Sequence, residues 1–420
     1  MPTIKEVSAL EILDSRGRPT VKAYCSFDNG ISASASVPSG ASTGRAEAHE
    51  LRDGGEPFNG LGCSKAVNNV NTEINDCLKG RSINSQEELD NILVDLDGTV
   101  NKSRLGANAI LSVSIAYARA MAMNNNQPLY QYFSELASKP TKHLPRLTIN
   151  LFSGGKHAGG QVPIQDLLIV PNQQTIMASL DCTYRVYQSA ADLCLKKYGT
   201  RALTADEGGL APPFGSLKEM FEDAIQAIEN AGFTPGKDVM LALDVASSHF
   251  YDNGNYELGD KICDSEGMIA VLSDWVSQYP IVSLEDGLAE EDWDFWPILM
   301  QRIGDKCLVL GDDFLCTNPD RIVKASSADA ANALLLKVNQ IGTLTEALEA
   351  YQLARNSEWR VTISARSGET EDDWLADLAV GWQGDQIKIG SITQSERLAK
   401  YNRLLEIEKE TGLPVIGWPN

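Results

Sequence analysis

Residues 239–244 read VMLALD, 281–286 IVSLED, 307–313 CLVLGDD, 333–337 ALLLK, 361–367 VTISARS and 386–390 QIKIG. Each is a short apolar run that stops on charged or polar residues. Runs of this length are strands buried on both faces, as in a parallel sheet covered by helices. LTINLF (147–152) and DLLIV (166–170) add two more. Between the runs lie segments with apolar residues at helical spacing, such as LKEMFEDAIQAIENAG, EGMIAVLSDWVSQ, TLTEALEAYQLARN and SERLAKYNRLLEIEKE. Eight strands alternating with helices predict a mostly parallel sheet closed into a (β/α)8 barrel.

The residues that end these strands carry the chemistry. They are Asp244, Glu285 with Asp286, Asp312 with Asp313, Lys337, then Ala365, Arg366 and Ser367, and finally Lys388. The intervals from Asp244 through Glu285, Asp312, Lys337 and Arg366 to Lys388 are 41, 27, 25, 29 and 22 residues. Each is one β/α unit, so the side chains converge on the C-terminal rim, where barrels keep their active sites. Asp244, Glu285 and Asp312 offer hard oxygen ligands suited to Mg²⁺, and without a cation they would repel one another. The competing role for each acid alone is to cap the following helix. Lys337 and Lys388 end buried strands, which is costly unless they are paired or functional. Desolvation and cationic neighbours would lower a lysine's pKa and make a neutral amine base; a salt bridge to the acids is the other reading, equal for Lys388. Arg366 and Ser367 offer a bidentate fork and a hydroxyl, a grip for phosphate, although Arg-Ser pairs are also common on surfaces.

Outward from the barrel, residues 3–36 alternate apolar and polar side chains between Gly, Asn and Asp turns, which predicts an antiparallel meander. From Lys65 to Tyr132 the period becomes helical, in SKAVNNVNTEINDCL and GANAILSVSIAYARAMAM. The expected organisation is an N-terminal α+β cap over 1–137 and a barrel over 138–420, the boundary falling in SELASKPTKHLPR. SGASTG (39–44), GGKHAGG (154–160, carrying His157) and ADEGG (205–209, carrying Asp206 and Glu207) are loops that either face the site or are plain surface turns.

The chain has 420 residues, with 36 basic and 57 acidic side chains, so its formal charge is 36 − 57 = −21. That balance argues against a general binder of nucleic acid or anionic membranes, while leaving room for a small anionic substrate in a local basic pocket. It serves equally well as a solubility feature. The eight cysteines form no CxxC and no cluster with histidine, so neither a disulfide framework nor a zinc site is expected. The N-terminus lacks the apolar stretch of a signal peptide, and no run is long enough to span a membrane. A cytoplasmic protein is expected.

Beyond these readings, the chain resembles enolase, the 2-phosphoglycerate dehydratase family. DSRG, VPSGASTG, ELRDGG, LDGT, GGKHAGG, DEGG, ALDVASS, SLED, GDD, LLLKVNQIGTLTEAL, RSGETEDDWLADLAVG and SERLAKYN carry the resemblance over nearly the whole length. It implies an enolase-type barrel whose early strands depart from strict β/α order. It implies two Mg²⁺ ions per site, one held by Asp244, Glu285 and Asp312, the other met by Ser42 as its loop closes. Lys337 would be the base that removes the C2 proton and Glu207 the acid that helps the C3 hydroxyl leave, which calls for a raised Glu207 pKa. His157, Gln165, Asp166, Arg366, Ser367 and Lys388, with Glu285 and Asp312, would hold a small phosphorylated carboxylate. The resemblance also implies a homodimer or higher homo-oligomer, and admits a surface or secreted pool beside the cytoplasmic one.

The chain departs from the family pattern at particular places. Ala365 stands where the family has histidine, Ala46 where it often has His or Arg, and Asp166 where it usually has Glu. His249 replaces a glutamate, Gly287 a proline, and IGSITQSER follows an altered course after Lys388. The metal-and-base residues are all present, and the hydroxyl and phosphate end is changed. Three readings follow: an enolase, an enolase-derived enzyme on a related phospho- or phosphono-carboxylate resembling carboxyphosphonoenolpyruvate synthase, and a non-catalytic binding protein on this scaffold.

Overall fold

The computed structural model describes residues 2–41, 43–199 and 203–417. The N-terminal meander forms as expected: β1 (Ile4–Leu13), β2 (Pro19–Phe27) and β3 (Ser32–Ser36) make an antiparallel sheet. Alternate β2 residues, Val21, Ala23, Cys25 and Phe27, are buried, and the apolar helix Ala107–Asn124 packs against that sheet. This helix is buried almost all round, which explains why its sequence is apolar on every face.

The barrel strands are β4 (Arg146–Ser153), β5 (Asp166–Pro171) and β6 (Val239–Asp244). A small antiparallel sheet, β7 (Tyr251–Asp252), β8 (Asn255–Leu258) and β9 (Lys261–Cys263), interrupts them. The barrel resumes with β10 (Ile281–Glu285), β11 (Leu308–Gly311), β12 (Ala333–Leu336), β13 (Arg360–Ser364) and β14 (Gln386–Gly390). It closes in the order β10-β11-β12-β13-β14-β4-β5-β6. All eight apolar runs named from the sequence are therefore barrel strands.

One strand breaks the simple alternation. β5 is antiparallel to both β4 and β6. The segment from Gly154 to Gln165 holds only the one-turn helix Gly155–Ala158 and lacks the full helix that a parallel crossover usually carries. The chain instead turns back directly, and two long helices, Ile176–Tyr198 and Leu217–Asn230, follow before β6. The reversal has a functional consequence, because it puts the first residue of β5, Asp166, beside Asp244, the last residue of β6.

Helix starts are chemically marked. Ser85, Thr175, Ser216, Asp264, Asn318 and Thr343 each accept a backbone N–H of the first turn of the helix they precede. Inside the barrel, Leu168, Val170, Met240 and Ala242 form one apolar cluster and Leu310, Ala333 and Leu335 another. Strand periodicity places Asp244 on the face of Met240 and Ala242, and Lys337 on the face of Ala333 and Leu335. The charged rim is thus the last layer of the barrel interior.

The cap reaches over that rim. Ser39 pairs with Gly368 as a β-bridge, Ala48 donates its N–H to the Gln340 carbonyl at 2.7 Å, and Ser15 donates to the Glu369 carbonyl at 2.7 Å. Among the described residues no helix is long and apolar enough to cross a membrane.

Candidate active site

Asp244 and Glu285 end adjacent strands in register. Both are buried, and the Lys388 ammonium donates to Asp244 Oδ2 at 2.8 Å and to both oxygens of Glu285 at 2.9 and 2.7 Å. Gln165 Nε2 donates to the same Asp244 Oδ2 at 3.0 Å. Burial penalises the Asp244 carboxylate, but Lys388 outweighs it and holds the group down to about pH 2. Glu285 goes the other way: burial and the neighbouring Asp244 charge push its carboxyl well above the ordinary range.

Asp312 follows β11. Its Oδ1 accepts from Gln340 Nε2 at 2.8 Å, and its Oδ2 is ion-paired with Lys337. Asp286, one residue after β10, has a positive φ of 45° and accepts the backbone N–H groups of Asp312 and Asp313 at 2.9 and 2.8 Å. It thereby sets the direction in which the acids after β11 point. Burial and the nearby Asp312 carboxylate raise Asp313 to about 7.

The second half of the site is built around the reversed strand. His157 Nδ1 lies 2.8 Å from Asp166 Oδ2, and Ser153 donates its hydroxyl to Asp166 Oδ1 at 2.6 Å. His157 Nε2 stands 3.9 Å from Glu207 Oε1, and Asn150 Nδ2 donates to Glu207 Oε2 at 3.0 Å. Burial disfavours the imidazolium, yet Asp166 and Glu207 raise His157 to about 9. Two sets of ligand atoms lie within 4.8 Å of one another, His157 with Asp166 and Glu207, and Asp286 with Asp312 and Asp313. Either donor set offers ligands to a metal ion; of the expected set of Asp244, Glu285 and Asp312, Asp312 falls in one of these clusters while Asp244 and Glu285 fall in neither. The Gln165 and Asn150 side-chain oxygens are buried with no hydrogen-bond partner among the described residues. Both belong to the site, and each offers an acceptor to a donor from outside the chain.

For both lysines the salt-bridge reading holds and the neutral-amine reading does not: Lys337 and Lys388 are ion-paired with the acids, and both are raised. Burial does lower each, but Asp312 outweighs it at Lys337, and Asp244 with Glu285 at Lys388. Glu207 was expected to be raised. Burial does push it up, but His157, Arg397 and the two lysines hold it below the ordinary carboxylate value. In the protein alone, the acids and lysines satisfy one another.

Arg366 follows β13. Its guanidinium donates to Glu47 Oε2 and Oε1 at 3.1 and 3.2 Å and to Asn339 Oδ1 at 3.0 Å. Ser367 Oγ accepts from Arg16 Nη1 at 3.1 Å. Ala365 is buried, and its N–H donates to the Lys388 carbonyl. His249, on the turn after β6, is lowered to about 4 by burial and the nearby Lys156 charge. A Cβ on Gly287 would lie 2.4 Å from Leu284 Cδ2, so any side chain there displaces the core beneath the rim. Ser42 lies outside the described residues.

The structure also brings in residues that the strand-end pattern did not point to. Glu47, Asn150, Ser153 and Gln340 each bond a site residue directly. Arg397, fully buried, donates to the carbonyls of Arg366, Ser367 and Ile389 at 2.7, 2.5 and 2.9 Å. Arg16 and Arg397 lie within DSRG and SERLAKYN, and their being charged beside apolar runs was the available signal. Asn150 and Ser153 sit inside an apolar strand, where a polar side chain needs a partner.

Two family models match the chain. Residues 4–133 match the N-terminal domain of enolase, and residues 141–416 match the enolase C-terminal TIM barrel domain. The acid–lysine rim, the cap closing over it and these matches along nearly all of the sequence agree, and the chain belongs to the enolase family.

Proposed function

We propose that the protein is a Mg²⁺-dependent hydro-lyase that interconverts 2-phosphoglycerate and phosphoenolpyruvate. The observation that carries this reading is the lysine–carboxylate ring on the barrel mouth, in which Lys388 is ion-paired with Asp244 and Glu285 and Lys337 with Asp312. Those carboxylates supply hard oxygens of the kind a divalent cation takes, and Asp312 also belongs to the cluster with Asp286 and Asp313 whose ligand atoms lie within 4.8 Å of one another. When bound, such a cation supplies Lewis-acid stabilisation of charge that develops on a substrate carboxylate.

The chain's own residues divide the remaining work. Lys337 takes the C2 proton. Asp312 raises the proton affinity of the Lys337 amine while burial lowers it, so offsetting the Asp312 charge favours the neutral amine that this step needs. Glu207, a carboxylate in the protein alone, must first take up a proton before it delivers one to the departing C3 hydroxyl, and it is clustered with His157 and Asp166. Arg366 and Ser367 take the phosphate, and Lys388 and Gln165 face the carboxylate end. Turnover of 2-phosphoglycerate with Mg²⁺, followed by the ultraviolet absorbance of the enol product, tests the reading. Lys337→Ala should abolish exchange of the C2 proton with deuterated water, and wild-type exchange in that variant would assign the base elsewhere.

A second reading rests on Ala365. A buried methyl at the end of β13, beside the arginine that would grip phosphate, leaves more room than a ring would. That favours a related phospho- or phosphono-carboxylate with extra bulk at the hydroxyl end. Mg²⁺ binding without turnover of 2-phosphoglycerate would support it.

A further inference from the structure

Glu47 lies in the cap, just after the SGASTG loop, yet its side chain is 7% exposed and embedded in the barrel rim. Its carboxylate has four donors from three places. Oε1 accepts the Gly44 backbone N–H at 3.0 Å, Arg366 Nη2 at 3.2 Å and Gln340 Nε2 at 3.4 Å, while Oε2 accepts Arg366 Nη1 at 3.1 Å. Gln340 in turn donates to Asp312 Oδ1 at 2.8 Å and accepts the Thr317 hydroxyl at 2.8 Å. The Gly44 donor is itself tightly placed, because a Cβ there would sit 2.4 Å from Cys316 Sγ and 3.2 Å from the Asp313 backbone. On the outer side of the loop, the Arg45 N–H donates to Glu290 at 3.0 Å.

We infer that Glu47 is a positioning residue that ties the cap loop at Gly44 to the guanidinium of Arg366 and, through Gln340, to Asp312. The inference rests on reading Arg366 as the phosphate grip. An arginine held by two parallel N–H···O bonds has its plane fixed, which fixes the direction its guanidinium edge presents. The same carboxylate is the only one of the described residues to receive bonds from both Gly44 and Arg366. Loop seating and the aim of Arg366 are therefore set by one group. An anion that engages Arg366 is thereby linked to the order of the loop, and so is a cation that engages Asp312.

The test uses Glu47→Gln and Glu47→Asp in the full chain, with Arg366→Lys for comparison. Hydrogen exchange of the segment spanning residues 39–47 reads loop seating, and calorimetry with inorganic phosphate reads the Arg366 grip. Glu47→Gln should speed exchange at Gly44 and weaken phosphate binding about tenfold, with partial recovery in Glu47→Asp. The effects of Glu47→Gln and Arg366→Lys on phosphate affinity should be far from additive. Wild-type exchange and wild-type phosphate affinity in Glu47→Gln would overturn the inference, as would additive effects of the two substitutions. If phosphate fails to bind even the wild type, the reading of Arg366 falls. Loop exchange and Mg²⁺ affinity in Glu47→Gln then decide the rest: both unchanged would overturn the link to the loop and Asp312, and both altered would sustain it.

Discussion

Lys388 on β14 and Glu285 on β10 face each other across the full width of the barrel. Their strands are four places apart in a ring of eight, and the ammonium reaches both carboxylate oxygens at 2.9 and 2.7 Å. The same ammonium serves Asp244 beside Glu285. A single lysine thus holds together two acids that would otherwise repel each other at the end of adjacent strands.

Lys388→Met removes that compensation and leaves two buried carboxylates facing each other. Breaking a buried pair by deleting one partner costs about 3–5 kcal/mol. Urea denaturation at neutral pH should show a loss of that order. Added Mg²⁺ should restore more stability to the variant than it adds to the wild type, because the acids then lack the ammonium bonded to both of them. A variant as stable as wild type, with no differential response to Mg²⁺, would mean that the acids tolerate each other without this lysine.

Asp312 is shared differently, between Lys337 and Gln340. Asp312→Asn keeps the shape and the acceptor for Gln340 but removes the charge. Mg²⁺ affinity measured by calorimetry should fall by more than about tenfold, equivalent to about 1.4 kcal/mol. Unchanged Mg²⁺ binding would remove Asp312 from the ligand set and shift attention to the cluster of His157, Asp166 and Glu207.

The parts legible in the sequence are those governed by period and by strand ends. A run such as ALLLK is apolar through the strand and charged at the rim, so the strand and its rim residue were readable; in QIKIG the charged residue, Lys388, lies mid-strand, two residues before the end of β14. The reversal of β5 was not readable from DLLIV itself, because a fully buried strand looks the same in either direction. It depends on the segment before it, which holds no full helix. The sequence leaves Lys337 and Lys388 open between a neutral amine and a salt bridge, and implies a raised Glu207, for a related reason. A shift depends on which opposite charge is nearest, and Asp312, Asp244 and His157 reach those groups only through the closed barrel. Glu47 is the extreme case, since its partners Arg366 and Gln340 lie in the other domain.

His157 provides a pH-dependent readout. Its folded value of about 9 lies above the ordinary value near 6.5, because Asp166 and Glu207 favour the imidazolium despite burial. A raised folded pKa contributes stability that is fully present below the unfolded value and is lost as pH rises through the folded one. The protein alone should therefore lose stability between about pH 6.5 and about pH 9 from this group. The ring signal of His157, assigned by comparison with His157→Gln, should titrate in the upper part of that range by NMR. Asp166→Asn should move it toward the ordinary value. A midpoint already near 6.5 in the wild type would show that the ring does not pair with Asp166 in solution.

Ala365 separates the two readings of the substrate. It is buried at the end of β13, its N–H is bonded to the Lys388 carbonyl, and Arg366 follows it directly. A histidine placed here would add a ring next to the phosphate grip without touching Asp244, Glu285 or Asp312. If the protein turns over 2-phosphoglycerate as its own substrate, Ala365→His should maintain or raise the rate, because the imidazole adds a polar contact near the leaving hydroxyl. If the site is shaped for a bulkier phospho- or phosphono-carboxylate, the ring fills space that substrate needs. The native reaction is then suppressed, while any residual activity on 2-phosphoglycerate rises. Kinetics of wild type and Ala365→His on 2-phosphoglycerate give the decision. A fully active wild type, only mildly changed by the histidine, excludes the altered substrate. A nearly inactive wild type rescued by the histidine overturns the assignment of 2-phosphoglycerate and leaves the lysine–carboxylate rim working on a different acid.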